Sequence, residues 1–161
     1  MLALMWIGIF IVLALLFSDI LDKQNNPNQA VNTQVLSGNI KELVLTRNKM
    51  GHYVASGSIN SEPVVFMLDT GATQVAIPDA IARRLNLSRG YQSYSNTANG
   101  TATVYLTKLD SISVGDITLH NVSAAIIPGY KSDEILLGMN FLKHFEFSQR
   151  GNTLTLRQYP D

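Results

Sequence analysis

The apolar run Val64-Val65-Phe66-Met67-Leu68 ends abruptly at Asp69-Thr70-Gly71-Ala72-Thr73, and this junction constrains the chain more than any other feature. Five consecutive apolar residues bounded by turn chemistry read as a buried strand. A carboxylate delivered by such a strand onto a tight glycine turn lies where apolar surroundings penalise its charge unless something compensates. Positions of that kind are candidates for acid–base chemistry. Thr70 adds a hydroxyl, able to donate or accept, beside the carboxylate, and Gly71 lets the backbone approach closely or take a positive φ. An Asx-type turn that merely closes a strand accounts for the same residues. The turn alone leaves both readings open.

Far downstream, Ile135-Leu136-Leu137-Gly138-Met139-Asn140-Phe141-Leu142 carries a second apolar run that ends at a glycine, as a strand does when it passes close behind another backbone. By itself it also fits an ordinary core strand or a helix start. Between the two runs, Tyr91 to Thr97 and Thr101 to Leu106 flank Ala98-Asn99-Gly100, and Asn-Gly is a strong hairpin signal because both residues tolerate positive φ. Such a hairpin serves equally as a surface loop or as a lid over a cleft. Taken in order, the strand-Asp-Thr-Gly-Ala element, the polar hairpin and the later Leu-Leu-Gly resemble the retropepsin-type aspartic proteases, particularly their membrane-anchored bacterial group, over about residues 40 to 158. Thr97-Ala98-Asn99-Gly100 and Leu137-Gly138-Met139-Asn140-Phe141-Leu142 are similar to that group as well.

The frequent short strands and two short helices suggest a closed or sandwiched β domain, and the resemblance implies a mainly β, retropepsin-like closed barrel lobe. It implies further that Asp69 is catalytic, that Thr70, Gly71, Ala72 and Thr73 form the active-site turn, and that Ala98, Asn99 and Gly100 form a flap. Leu136, Leu137 and Gly138 would support the turn. A peptide or protein substrate would lie extended beneath the flap, with no metal and no organic cofactor. Hydrolysis by this route needs two carboxyls sharing one proton, yet the chain contains one Asp-Thr-Gly; Asp79, Asp110, Asp116 and Asp133 lack the Thr/Ser-Gly that follows. A two-fold homodimer supplies the second copy, and retropepsins resemble this chain in that arrangement. The expected function is a membrane-anchored aspartic endopeptidase with a dyad formed by Asp69 of each chain. The competing expectation is a noncatalytic retropepsin-like module that holds a peptide or partner at the membrane.

Composition narrows the classes further. Net charge is zero across 161 residues, so no electrostatic footprint points to nucleic acid. The absence of cysteine excludes disulfides, thiolate metal sites and a cysteine nucleophile. His52, His120 and His144 are far apart, without paired metal-ligand spacing. Met1 to Phe17 contains no charged side chain, and Asp19 is the first. Residues 1–21 therefore read as a membrane anchor near the short end of what spans a hydrocarbon core. The lack of a basic n-region and of a small-x-small cleavage site favours this over a cleaved signal peptide. Lys23 is the only basic side chain near either end, so charge bias hardly orients the segment; the resemblance implies a bacterial inner membrane and a periplasmic C-terminal domain. Residues 22–34 are polar and broken by Pro27, which reads as a flexible linker, and the protease-like domain is expected over 35–161. Pro78 suits the first turn of a short helix in which Ile81 and Leu85 share a face.

Overall fold

The computed structural model describes residues 2–97 and 100–160. It opens with α1 (Leu2–Asn25), whose described apolar side chains are largely exposed. At 24 residues and 1.5 Å per residue the helix is about 36 Å long. It is long and apolar enough to span a membrane.

The remainder is mainly β. A four-stranded antiparallel sheet is ordered β1 (Thr33–Leu36), β2 (Ile40–Thr46), β11 (Thr153–Gln158), β10 (Glu146–Arg150). Strict alternation orients its central pair: Leu43 faces Leu156 and Leu45 faces Leu154 across the ladder, all four buried, while Val44 between them is exposed. The larger sheet runs β3 (Val54–Ile59), β4 (Glu62–Leu68), β9 (Glu134–Leu137), β5 (Val75–Pro78), β8 (Ile117–Ile127), β7 (Gly100–Val114), β6 (Gln92–Thr97). Its first strand pairs again with its sixth, through Ser58↔Ser113 and Ile59↔Ile112, so the sheet curls back on itself. The turn between β3 and β4 fixes that contact. Asn60 and Ser61 both take positive φ, 50° and 70°, the twist a two-residue hairpin requires. Asn60 then exchanges backbone N–H···O and side-chain bonds with Ser111 at 3.0 and 3.1 Å. Phe66, Ile77, Leu109, Ile126, Ile135, Leu137 and Phe141 fill the space inside, each at most 1 % exposed.

The helices within the β domain are short, as the turn signals predict. Pro78 differs in role: it is the last residue of β5 and the N-cap of α2 (Asp79–Arg84), with extended ψ of 139°. Ile81 is buried and Leu85 packs beside it. The segment read as a flexible linker is also different in detail. α1 continues to Asn25, β1 begins at Thr33, and Asn26 and Asn28 are buried. The Asn28 side chain donates to the carbonyls of Thr46 (2.9 Å) and Val54 (2.6 Å) and accepts the Thr46 N–H (2.7 Å), while Asn26 Nδ2 donates to Ser56 Oγ. Asparagine reads as loop from sequence because its amide competes for backbone groups; here those backbone groups belong to β2 and β3, and the segment is fastened to them.

Candidate active site

β4 carries Phe66, Met67 and Leu68 alongside Ile135, Leu136 and Leu137 of β9 in parallel register. The ladder continues one residue further, because the Asp69 N–H donates to the Leu137 carbonyl at 3.1 Å. There β4 stops. Asp69 Oδ1 accepts the Gly71 N–H at 2.8 Å, and the Ala72 N–H returns to the Asp69 carbonyl at 3.2 Å, which closes an Asx turn around the carboxylate. Asp69 is half-buried, Thr70 and Gly71 are exposed, and among the described residues no other group bonds the carboxylate. The Asx turn that the sequence suggests is formed: it fixes one carboxylate oxygen and, among the described residues, leaves the other without a partner.

The segment after β9 holds this turn from behind. Met139 N–H donates to the Ala72 carbonyl at 2.8 Å, and Asn140 N–H to the Thr73 carbonyl at 3.1 Å, at the start of α3 (Met139–Leu142). The backbone crosses so closely that a Cβ on Gly138 would come 2.5 Å from the Gln74 carbonyl oxygen and 2.7 Å from that of Ala72. Glycine is what permits the crossing. Asn140 completes the join with its side chain, accepting the Val75 N–H at 2.9 Å and donating to the Ser123 carbonyl at 2.7 Å. It thereby links the turn to β8.

Opposite the turn stands the β6–β7 hairpin, paired from Gln92↔Tyr105 to Thr97↔Gly100. Gly100 takes φ of 103°, the conformation its expected turn role requires. Ala98 and Asn99, the other two flap positions, lie outside the described residues. A cleft of about 640 Å³ separates hairpin from turn. Its floor is Asp69, Gly71, Ala72, Thr73, Gln74, Ala76 and Leu136, its roof Ser95, Asn96, Gly100, Thr101 and Ala102, and its far wall Ala125 and Ile127 to Lys131. Asp69, Gly71, Ala72, Thr73, Gly100 and Leu136 thus meet at one cavity. Leu137 and Gly138 are buried behind it, and Thr70 is exposed beside it without lining it. Leu136, paired with Met67 of β4, also lines the cleft. Sequence reading passed over the Asn140 side chain as a linker and Ile127 to Lys131 as a wall; the Pro128-Gly129 strand ending was the local signal for the latter.

A single Asp-Thr-Gly turn, locked beneath a Leu-Leu-Gly strand and roofed by a hairpin in a mainly β domain, is the arrangement of the retropepsin-like aspartic proteases. The chain belongs to the gag-polyprotein putative aspartyl protease family, which it matches over residues 55–144, more than half its length. A retropepsin-like aspartic protease from Rickettsia conorii superposes with a TM-score of 0.66 at 26 % identity, covering 80 % of this chain and 96 % of that one. The EIAV protease, solved in complex with the inhibitor HBY-793, shares the fold with a TM-score of 0.50 at 20 % identity, covering 62 % and 92 %. Among curated sequences, an uncharacterized protein in the cobV 5′ region of Sinorhizobium sp. is 32 % identical over 121 residues, which are 73 % of this chain and 52 % of that protein. An uncharacterized protein of Rickettsia prowazekii is 27 % identical over 126 residues, 76 % and 54 %. The chain spans about half the length of these curated relatives.

Proposed function

We propose that this chain is a single-pass, membrane-anchored aspartic endopeptidase that works as a homodimer, Asp69 of each protomer forming the dyad. The observation that carries the reading is Asp69 on the cleft floor: its backbone N–H donates to the Leu137 carbonyl, its Oδ1 accepts the Gly71 N–H, and among the described residues its other carboxylate oxygen has no partner, beside a cavity of about 640 Å³. The protein supplies one such carboxylate per chain, and a two-fold axis at the turn brings the second. The ionised Asp69 then takes a proton from water as the water oxygen bonds to the scissile carbonyl carbon, while the protonated Asp69 hands its proton to the carbonyl oxygen. Collapse of the resulting gem-diol breaks the C–N bond. The leaving nitrogen takes the proton from the first carboxyl, and the diol proton returns to the second. Thr70, exposed next to each carboxylate, is positioned to brace one turn against the other.

The exposed apolar side chains of α1 support the anchor, and the bacterial sources of the relatives fit an inner membrane; a periplasmic β domain completes the reading on family resemblance alone. Residues 1–21 then serve as the anchor and the domain that follows as the protease. The test is hydrolysis of a diverse peptide library by the purified full chain and by its Asp69→Asn variant. Loss of cleavage with the fold and dimer intact is the expected result. Sustained turnover in Asp69→Ala overturns the assignment, and a wild-type dimer that binds peptides without cleaving any favours the noncatalytic module.

A further inference from the structure

We propose that Lys131 makes this cleft selective for peptides that carry acidic side chains flanking the cleaved bond, an inference that rests on the peptide-hydrolase reading above. Among the described residues that line the cleft, only Asp69 and Lys131 are charged. Lys131 is exposed, and among the described residues its ammonium has no ion-pair or hydrogen-bond partner. The nearby arginines are not free in the same way. Arg83 of α2 and Arg89 beyond its end both pair with Asp79. Asp133 shares with Lys131 only the groove on the outer side of the loop, not the cleft that holds Asp69.

The loop that presents Lys131 is fixed at both ends. Ile127 closes β8 and accepts the Tyr130 N–H at 3.4 Å, and the Glu134 N–H that opens β9 donates to Ser132 Oγ at 3.0 Å. β9 is also the strand that pairs in parallel with β4, at whose end the Asp69 turn lies, and its Leu137 carbonyl accepts the Asp69 N–H, so Lys131 and Asp69 are tied to one framework. The remaining walls are mostly small, with alanines and glycines on floor, roof and far side. They admit many side chains and reject few. The single cation is therefore the strongest discriminator the cleft offers, because charge complementarity selects partners where shape does not. Two-fold symmetry places one Lys131 on each side of the dyad. A dyad sharing one proton carries one negative charge and the two lysines carry two positive ones, so the assembled cleft attracts acid on both flanks of the bond.

The experiment uses the full chain in detergent and two fluorescent decapeptide sets, identical except for Glu or Gln at each position around the scissile bond. Binding is read on Asp69→Asn protein, so that it does not depend on turnover, and cleavage is read on wild type. An exposed ion pair of this kind is worth roughly two- to fivefold in affinity. The Glu set should bind wild-type Lys131 protein tighter by that factor, and the gain should fade at high salt. Lys131→Met should bring the Glu-to-Gln ratio to about one, and Lys131→Glu should invert it. Equal binding of the two sets, or a preference for Glu that survives both variants, overturns the proposal. A preference for Glu in binding with no cleavage of any peptide by wild type upholds the role of Lys131 and rejects hydrolysis.

Discussion

Gly138 lies so close to Gln74 that a Cβ on the glycine would stand 2.5 Å from the Gln74 carbonyl oxygen. The obstacle is backbone on a strand-to-turn junction, not the end of a flexible side chain, so the chain has to move to admit a methyl group. Gly138→Ala should therefore cost roughly 1–3 kcal/mol, the scale of overpacking a close contact, and should push the Asp69 turn off its position. Thermal unfolding beside peptide turnover measures both effects. Unaltered melting and unaltered turnover would show that the crossing tolerates a side chain and that the glycine has no such role.

Asn140 acts on the same turn by a different route. Its amide satisfies the Val75 N–H and the Ser123 carbonyl, groups on two different strands. Asn140→Ala leaves the Val75 N–H without this acceptor, and a deserted buried donor costs about 1–3 kcal/mol. Chemical denaturation should show a loss in that range. Exposed Ser148 provides the comparison, since Ser148→Ala should stay within about 0.5 kcal/mol of wild type.

What the sequence disclosed of this site follows from the range of its signals. The apolar run into Asp69, the run ending at Gly138 and the hairpin around Gly100 are local patterns, and the structure has strands or turns at each. The parallel pairing of Met67 with Leu136 joins segments far apart in the chain, and no local pattern states which strands become neighbours. The far wall of the cleft was hidden for the same reason. Asn26 and Asn28 misled in the opposite direction: their composition is that of a tether, and only the backbone of Thr46 and Val54 and the Ser56 hydroxyl, on β2 and β3, turn them into a clasp. Pro78 fits the first turn of a helix and the end of a strand alike, and the structure takes the second, with Pro78 one residue ahead of the helix as its N-cap.

The clasp predicts where the folded unit starts. Asn28→Ala removes the partner of the Thr46 N–H and of two carbonyls, so it should cost on the order of 1–3 kcal/mol. A chain begun at residue 35 loses the clasp and β1's first residues together. Denaturant midpoints of residues 24–161 and 35–161 should differ in favour of the longer chain. Coincident midpoints would return the segment to the status of a tether.

Asp79 supplies a pH dependence of stability. The hydrogen bond from Arg89, aided by the charges of Arg83 and Arg89, outweighs burial and holds the Asp79 carboxyl below the ordinary aspartate range. A carboxylate with a depressed folded-state pKa stabilises the fold at pH values above its unfolded one, and that contribution disappears as pH falls through the folded-state value. Stability should thus decline on acidification below the ordinary aspartate range, with a smaller decline in Asp79→Asn. Unfolding midpoints of the two proteins measured from neutral pH into that acidic range test the difference. Parallel curves would remove Asp79 from the account.

The dimer proposal makes the sharpest kinetic prediction, because one chain carries half a catalytic pair. For the full chain in detergent, specific activity should fall on dilution as dimers separate by mass action. In a bilayer the same chains are confined with their domains on one side, which raises their effective concentration. Specific activity there should hold to far lower total protein. Mixing supplies a second reading: Asp69→Asn chains added in excess to wild type should capture wild-type chains in heterodimers with a single ionisable carboxyl, and activity should drop below that of wild type alone at the same wild-type concentration. Sedimentation in detergent, run beside the dilution series, ties the loss to dissociation. Constant specific activity through the range where sedimentation finds monomers, together with indifference to the added variant, would mean that one chain holds a complete site and that Asp69 does not act as half of a pair.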